Sequence, residues 1–94
     1  MNQVPILIPS TLRHYCGEHA EVTAAGDSIA EVLNSLSAAH PELYQSICDE
    51  TGSVRRHINV FINSQWIPVH QNSGLDSKIG FGDTLTIWTA VSGG

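Results

Sequence analysis

The strongest constraint in this 94-residue chain is a single amphipathic helix set among strand-like segments. Ser28 followed three residues later by Glu31 forms an S-x-x-E capping box, in which each side chain can satisfy a backbone N–H left without an intrahelical acceptor. Ile29, Val32, Leu33 and Leu36 then recur at i, i+3, i+4 and i+7, while Glu31, Asn34 and Ser35 fall on the side expected to face water. Pro41 ends the run, because a proline inside the helix would remove a hydrogen bond and clash with the preceding turn. The following P-E-L-Y-Q-S-I can restart a short helix with Leu43 and Ile47 on one side. A helix with one apolar stripe needs a second layer to cover it.

The rest of the chain supplies that layer as strands. Val4 to Ile8 reads as a first strand, with Pro5 near its start and Pro9 stopping it. Ala20 to Ala25 is a second, closed by Gly26-Asp27. After the D-E-T-G turn, His57 to Asn63 alternates Ile58, Val60 and Ile62 with His57, Asn59 and Phe61, the pattern of a half-buried strand. Asn63-Ser64 turns the chain into Q-W-I-P-V, which Pro68 assigns to a sheet edge. G-F-G-D, Gly80 to Asp83, leads into a last strand from Thr84 to Val91, in which Leu85, Ile87 and Val91 share a face. Strand, strand, helix, strand, edge strand, strand describes a small α+β sheet with the helix on one face. Internal repeats, low-complexity tracts and linkers are absent from the sequence.

Ninety-four residues make one domain, long enough to bury about 60–70% of the unfolded chain's surface without a metal or disulfide staple. Nine acidic residues against four basic ones give a formal charge of -5, which argues against nucleic acid and anionic membrane as partners. The basic residues Arg13, Arg55, Arg56 and Lys78 form no stripe. V-P-I-L-I-P is too short and proline-broken for a secretory leader, and no apolar stretch approaches the ~20 residues that span a bilayer. Two cysteines, Cys16 and Cys48, outside any C-x-x-C, fit a reducing cytoplasm, a bridge between them being the minor alternative. His14, Cys16 and His19 in H-Y-C-G-E-H are chemically suited to zinc, but no second ligand cluster completes a tetrahedral set. No metal and no cofactor of the protein's own are therefore expected, and no Cys-His pair has the pattern of a nucleophile.

The sequence stops on T-A-V-S-G-G, Thr89 to Gly94. Taken alone, this fits an ordinary small-residue end or a linker remnant as well as a functional arm. Its context narrows the choice. G-D-S-I-A-E-V-L at the helix, I-N-V-F-I-N in the middle and G-D-T-L-T-I-W-T-A-V-S-G-G at the end together resemble the MoaD/ThiS family of ubiquitin-like sulfur carriers. I-L-I-P-S-T-L-R is most similar to the CysO-type branch that serves cysteine biosynthesis. Thr89 and Ser92 depart from that family's frequent proline and alanine or glycine, while Gly93 and Gly94 keep its terminal pair.

The resemblance implies a ubiquitin-like β-grasp, a mixed sheet curled around one main helix, over residues 1–89, with residues 90–94 as a flexible C-terminal tail. It implies no enzyme activity in this chain. Instead an adenylyltransferase/sulfurtransferase of the ubiquitin-activating kind would use MgATP to adenylate the Gly94 carboxylate, and a sulfur donor would convert it to a thiocarboxylate. Gly93 and Gly94, lacking Cβ atoms, can thread a narrow channel and take backbone angles closed to other residues. Phe61, Trp66 and Trp88, with Val91 and Ser92, are the candidate partner-binding residues. Phe61 and Trp88 fall opposite the aliphatic rows, the competing reading being that these aromatics pack in the core. In the CysO-type branch the acceptor would be a pyridoxal-phosphate cysteine synthase, with a zinc peptidase releasing cysteine. Related carriers serve molybdopterin, thiamin and siderophore sulfur. A ubiquitin-like modifier joined to target lysines would use the same activated carboxyl, although Lys78 as the sole lysine leaves few sites for chains.

Overall fold

The computed structural model describes residues 2–70 and 72–89. Five strands, β1 (Gln3–Leu7), β2 (Glu21–Ala25), β3 (Ile58–Ile62), β4 (Gln65–Ile67) and β5 (Leu85–Thr89), form one sheet in the order β2-β1-β5-β3-β4. The β1–β5 pair is parallel and the other neighbours are antiparallel, so the sheet is mixed. Two helices, α1 (Ile29–Ala39) and α2 (Pro41–Ile47), cover one face, and the fold is a ubiquitin-like β-grasp. β5 ends up central, flanked by the first strand and the third.

Period-2 alternation decides which side chains meet the helices. Val4 and Ile6 from β1, Val22 and Ala24 from β2, Ile58 and Val60 from β3, and Leu85 and Ile87 from β5 are all buried. Against them lie Ile29, Val32, Leu33 and Leu36 of α1 and Leu43 and Ile47 of α2. Each of these valines, leucines and isoleucines contributes about 1.5–3 kcal/mol on full burial, which makes this inner layer the main stabilising element.

The capping box forms with one change of partner. Ser28 Oγ accepts from Glu31 N at 3.2 Å, but Glu31 Oε1 reaches one residue further back, to Asp27 N at 2.8 Å. Ser35, expected to face water, instead donates its hydroxyl to the Ala25 carbonyl at 2.7 Å and ties α1 to the end of β2. His40 serves as the C-cap of α1 and the N-cap of α2, and Pro41 takes the first position of α2, where a missing N–H costs nothing.

Strand ends differ from the sequence expectation where the chain turns. Ile8 leaves β1 yet stays buried, donating its N–H to Ala20 O at 2.8 Å. β4 stops at Ile67, before Pro68, and stands at the sheet edge. Asn63 takes the left-handed conformation (φ 56°), which ends β3 one residue short of the expected strand. Two 3-10 segments, Ser10–Cys16 and Asn72–Asp76, were not expected from the sequence. Leu12 and Cys16 of the first are buried against the core, four residues apart on one side of the turn.

Candidate functional site

The sheet face turned away from the helices carries the sequence's candidate docking residues. Register pairs Leu7 with Thr86, Thr86 with Phe61, and Phe61 with Trp66, so these four form one row across β1, β5, β3 and β4. Trp88, two residues on from Thr86, lies on the same face opposite Asn59. Asn59 Oδ1 accepts from Trp66 Nε1 at 3.1 Å, which holds the indole over β3. Trp66 is 51% exposed, Trp88 57% and Leu7 40%, while Phe61 is half-buried. Two tryptophans more than half open to water on one face of a small sheet form an apolar surface that the fold itself does not use.

This face continues into a groove of about 380 Å³ between the end of β1 and the C-terminal half of β5, lined by Leu7, Pro9, Arg13, Thr86 and Trp88 among others. Arg13 is fixed at the groove by its Nε, which donates to the Ile8 carbonyl at 3.0 Å. Sequence reading did not single out Leu7 or Arg13. The alternation Ile6-Leu7-Ile8 was the available signal for Leu7, since burying both isoleucines turns Leu7 outward.

The hydroxyl of Thr89, the last described residue of β5, lies 3.1 Å from that of Thr11 in the 3-10 segment. Val91, Ser92, Gly93 and Gly94, with the expected tail 90–94, lie outside the described residues.

The opposite end of β5 is held by a turn clamp. Asp83 Oδ2 accepts from Gly80 N at 2.9 Å and its Oδ1 from Asn63 Nδ2 at 3.1 Å, while Asn63 Oδ1 accepts from Thr84 N. The Gly80 N–H, with the Asn63 amide, holds the Asp83 carboxyl below its ordinary value. Phe81 stands almost fully exposed at the tip of this turn, far from the tail end of the strand. Asp49 is held low in the same way, chiefly by the Thr51 hydroxyl and N–H, in the D-E-T-G turn.

A second hollow, about 460 Å³, lies beside α2 and is lined by Tyr44, Cys48 and Arg55 among others. Burial pushes the Cys48 thiol up to about 11, against a smaller opposing effect of its hydrogen bond with Tyr44. Cys16 is also buried, its Sγ 3.5 Å from the carbonyls of Arg13 and His19, and both thiols are free. His14 rests against Tyr15 with ring centroids 4.0 Å apart. Among the described residues, no three His, Cys, Asp or Glu side chains are grouped to hold a metal. No helix among them is long and apolar enough to cross a membrane.

Comparison with known proteins matches the ThiS family model to residues 6–94. The sulfur carrier protein CysO of Mycobacterium tuberculosis (strain ATCC 25618 / H37Rv) is 32% identical over 93 residues, which cover 97% of this chain and 98% of that protein. Among solved structures, the crystal structure of the Amycolatopsis orientalis BexX/CysO complex matches with a TM-score of 0.81 at 33% identity, covering 97% of this chain and 99% of that one. The solution structure of small archaeal modifier protein 1 from Methanosarcina acetivorans matches with a TM-score of 0.81 at 26% identity, covering 100% of this chain and 98% of that one.

Proposed function

Because the chain belongs to the ThiS family, we propose that it is a sulfur carrier, acted on by partner enzymes rather than catalysing a reaction itself. The observation that carries this reading is the nearly full-length likeness to CysO sulfur carriers, within a family match that extends through Gly93 and Gly94. The reading requires a free α-carboxylate on Gly94. Its ordinary pKa of ~3.5 leaves it ionised at neutral pH, a competent nucleophile but a poor acyl donor. In an activating enzyme supplying MgATP, a carboxylate oxygen attacks the α-phosphorus and pyrophosphate leaves. The resulting acyl-adenylate has AMP as a good leaving group, and hydrosulfide, the simplest sulfur donor, attacks the acyl carbon, expels AMP and gives up its proton. The product is a thiocarboxylate, a soft nucleophile that stays tethered to the protein until it meets an acceptor.

Recognition falls to the outer sheet face. Trp66 and Trp88, with Phe61 and Leu7, offer apolar area whose burial would drive docking onto the activating enzyme. Val91 and Ser92 would extend this contact into the active-site channel, and Gly93 and Gly94 would fit where a Cβ would collide. The CysO likeness favours cysteine biosynthesis as the destination, with a pyridoxal-phosphate cysteine synthase as acceptor and a zinc peptidase as the releasing enzyme. The likeness to small archaeal modifier protein 1 favours a second reading, conjugation of the same activated carboxyl to protein lysines.

Reconstitution with the cognate activating enzyme tests the first step. Pyrophosphate release from ATP should depend on the carrier and fall at least tenfold for Gly94→Ala, whose Tm should match wild type. An equal loss of Tm and activity, or release indifferent to Gly94, contradicts the reading.

A further inference from the structure

The two outer strands of the sheet close their edges differently. β4 is three residues long and stops before Pro68. β2 runs five residues in unbroken register with β1, from Leu7↔Glu21 to Gln3↔Ala25, with no bulge, proline or lysine to blunt its free side. The bonds that flank this pairing fix its phase: Ile8 N–H donates to Ala20 O at 2.8 Å and Gly26 N–H to Asn2 O at 2.9 Å. Val22 and Ala24 therefore turn their N–H and C=O groups toward β1, and Glu21, Thr23 and Ala25 turn theirs away from the sheet. The Ala25 carbonyl is taken by the Ser35 hydroxyl at 2.7 Å. Among the described residues, nothing bonds the main-chain groups of Glu21 or Thr23, and both residues are exposed.

The charge around this edge has one sign. Between Arg13 and Arg55 the sequence holds no lysine or arginine, yet most of its nine acidic residues fall there. Glu18 and Glu21 stand at the start of β2, and Asp27 and Glu31 at its end, where the Glu31 carboxylate accepts from Asp27 N–H. Against them stand His19 beside the first pair and Lys78, whose backbone bridges to Ser28, beside the second. Both ends of the edge keep an excess of negative charge. That excess disfavours a second copy of the chain: antiparallel pairing of β2 with β2 about Thr23 would set Glu18 and Glu21 of one copy beside Asp27 and Glu31 of the other.

We propose that the free edge of β2 binds an extended segment of a partner protein as a sixth, antiparallel strand, and that this segment carries lysine or arginine at both ends. The proposal is independent of the sulfur-carrier reading and uses a different margin of the sheet from the tryptophan face. Main-chain bonds to Glu21 and Thr23 supply the attachment, and the terminal cations choose the partner. Alternate residues of the segment extend the inner layer beside Val22 and Ala24, on the side where α1 lies closest to the sheet, so β-branched apolar residues suit those positions.

The test titrates the full chain with a short capped peptide, an alternating valine–threonine core with lysines at both ends, and follows backbone amides by NMR. The expected result is saturable shifts centred on Glu21, Thr23 and Ala25, with amide exchange of Glu21 and Thr23 slowed about tenfold or more at saturation. The same core with glutamates in place of the lysines should bind about tenfold more weakly or worse, and added salt should weaken the lysine peptide. Thr23→Pro removes an outward N–H without touching a bond to β1, as proline is tolerated on a strand edge; it should weaken binding about three- to tenfold or more while Tm stays within a few degrees. Thr23→Val, which keeps the N–H, should bind as wild type. A peptide N-methylated throughout its core poses the same question without altering the chain, and should not bind. Shifts absent from the β2 edge or centred on Trp66 and Trp88, equal binding of the glutamate peptide, or undiminished binding of the N-methylated one would each overturn the proposal. Concentration-dependent shifts of the Glu21 and Thr23 amides without peptide would assign the edge to a second copy and overturn it as well.

Discussion

Replacing Gly26 by alanine isolates the steric demand at the junction between β2 and α1. A Cβ at this position would sit 2.6 Å from Val32 N, 2.8 Å from Val32 Cγ2 and 3.0 Å from the Glu31 carbonyl carbon, well inside the 3.4 Å at which ordinary contact begins. Two of the three opposing atoms are helix backbone, held by the Val32 N to Ser28 O bond at 3.0 Å and by the Ser28 cap, so they cannot swing aside as a side-chain tip would. Relief requires α1 to lift from the sheet, where Ile29, Val32, Leu33 and Leu36 are buried. Overpacking of this kind costs about 1–3 kcal/mol, and the lower unfolded-state entropy of alanine returns about 0.4–1 kcal/mol. A clash of 2.6 Å with backbone places the cost in the upper half of that range, so the net loss is about 1–2.6 kcal/mol, a fall in Tm of roughly 4–21 °C for a domain of this size. Gly80→Ala is the control, because its nearest neighbour is the Asp83 Oδ2 atom at 3.7 Å and its backbone does not demand glycine. Scanning calorimetry of both variants should show Gly80→Ala within a few degrees of wild type and Gly26→Ala clearly below it. A Gly26→Ala protein as stable as Gly80→Ala would refute the proposed rigidity of the β2–α1 junction.

Trp88→Ala and Trp66→Ala should shift Tm by only a few degrees, since both rings are more than half exposed, yet raise KM for the carrier in the activation assay about tenfold or more, as central aromatic contacts do. Thiol titration should find Cys48 unreactive toward a disulfide reagent at pH 8 in the native protein and fully reactive in denaturant, because burial keeps its thiolate scarce. The folded carboxyls of Asp83 and Asp49 lie below their unfolded value of 3.8, so their stabilising contribution is complete above that value and disappears as pH falls through the lower folded ones. Denaturant midpoints should therefore decline below about pH 4, and the double variant Asp83→Asn, Asp49→Asn should flatten that decline.

Much of this architecture could be read from local patterns. The helix from Ser28 was legible because capping, 3.6-residue periodicity and a terminating proline all coincide, and Pro68 correctly demoted Q-W-I-P-V to an edge. The 3-10 segment Ser10–Cys16 was not, since seven residues hold too few apolar positions to show a period; only Leu12 and Cys16 record which side is buried. The Ser35 bond to Ala25 O escaped because a hydroxyl on a helix reads as polar whether it meets water or a carbonyl from another element. Phe61 and Trp88 could be assigned to the outer face from parity alone, but the row joining Leu7, Thr86, Phe61 and Trp66 depends on register across four strands. Likewise the Thr11–Thr89 contact joins the two ends of the sequence, and nothing local announces it.

The claim that most needs a direct measurement is that the carboxyl of Gly94 carries sulfur. Chain purified from its own cells, digested and analysed by high-resolution mass spectrometry, should yield a C-terminal peptide in which one oxygen is replaced by sulfur, with fragmentation locating the exchange on Gly94 and alkylation capturing it. Finding only an unaltered carboxylate, or Gly94 joined through an amide to a lysine of another protein, under conditions where the activating enzyme is present and active, would contradict it.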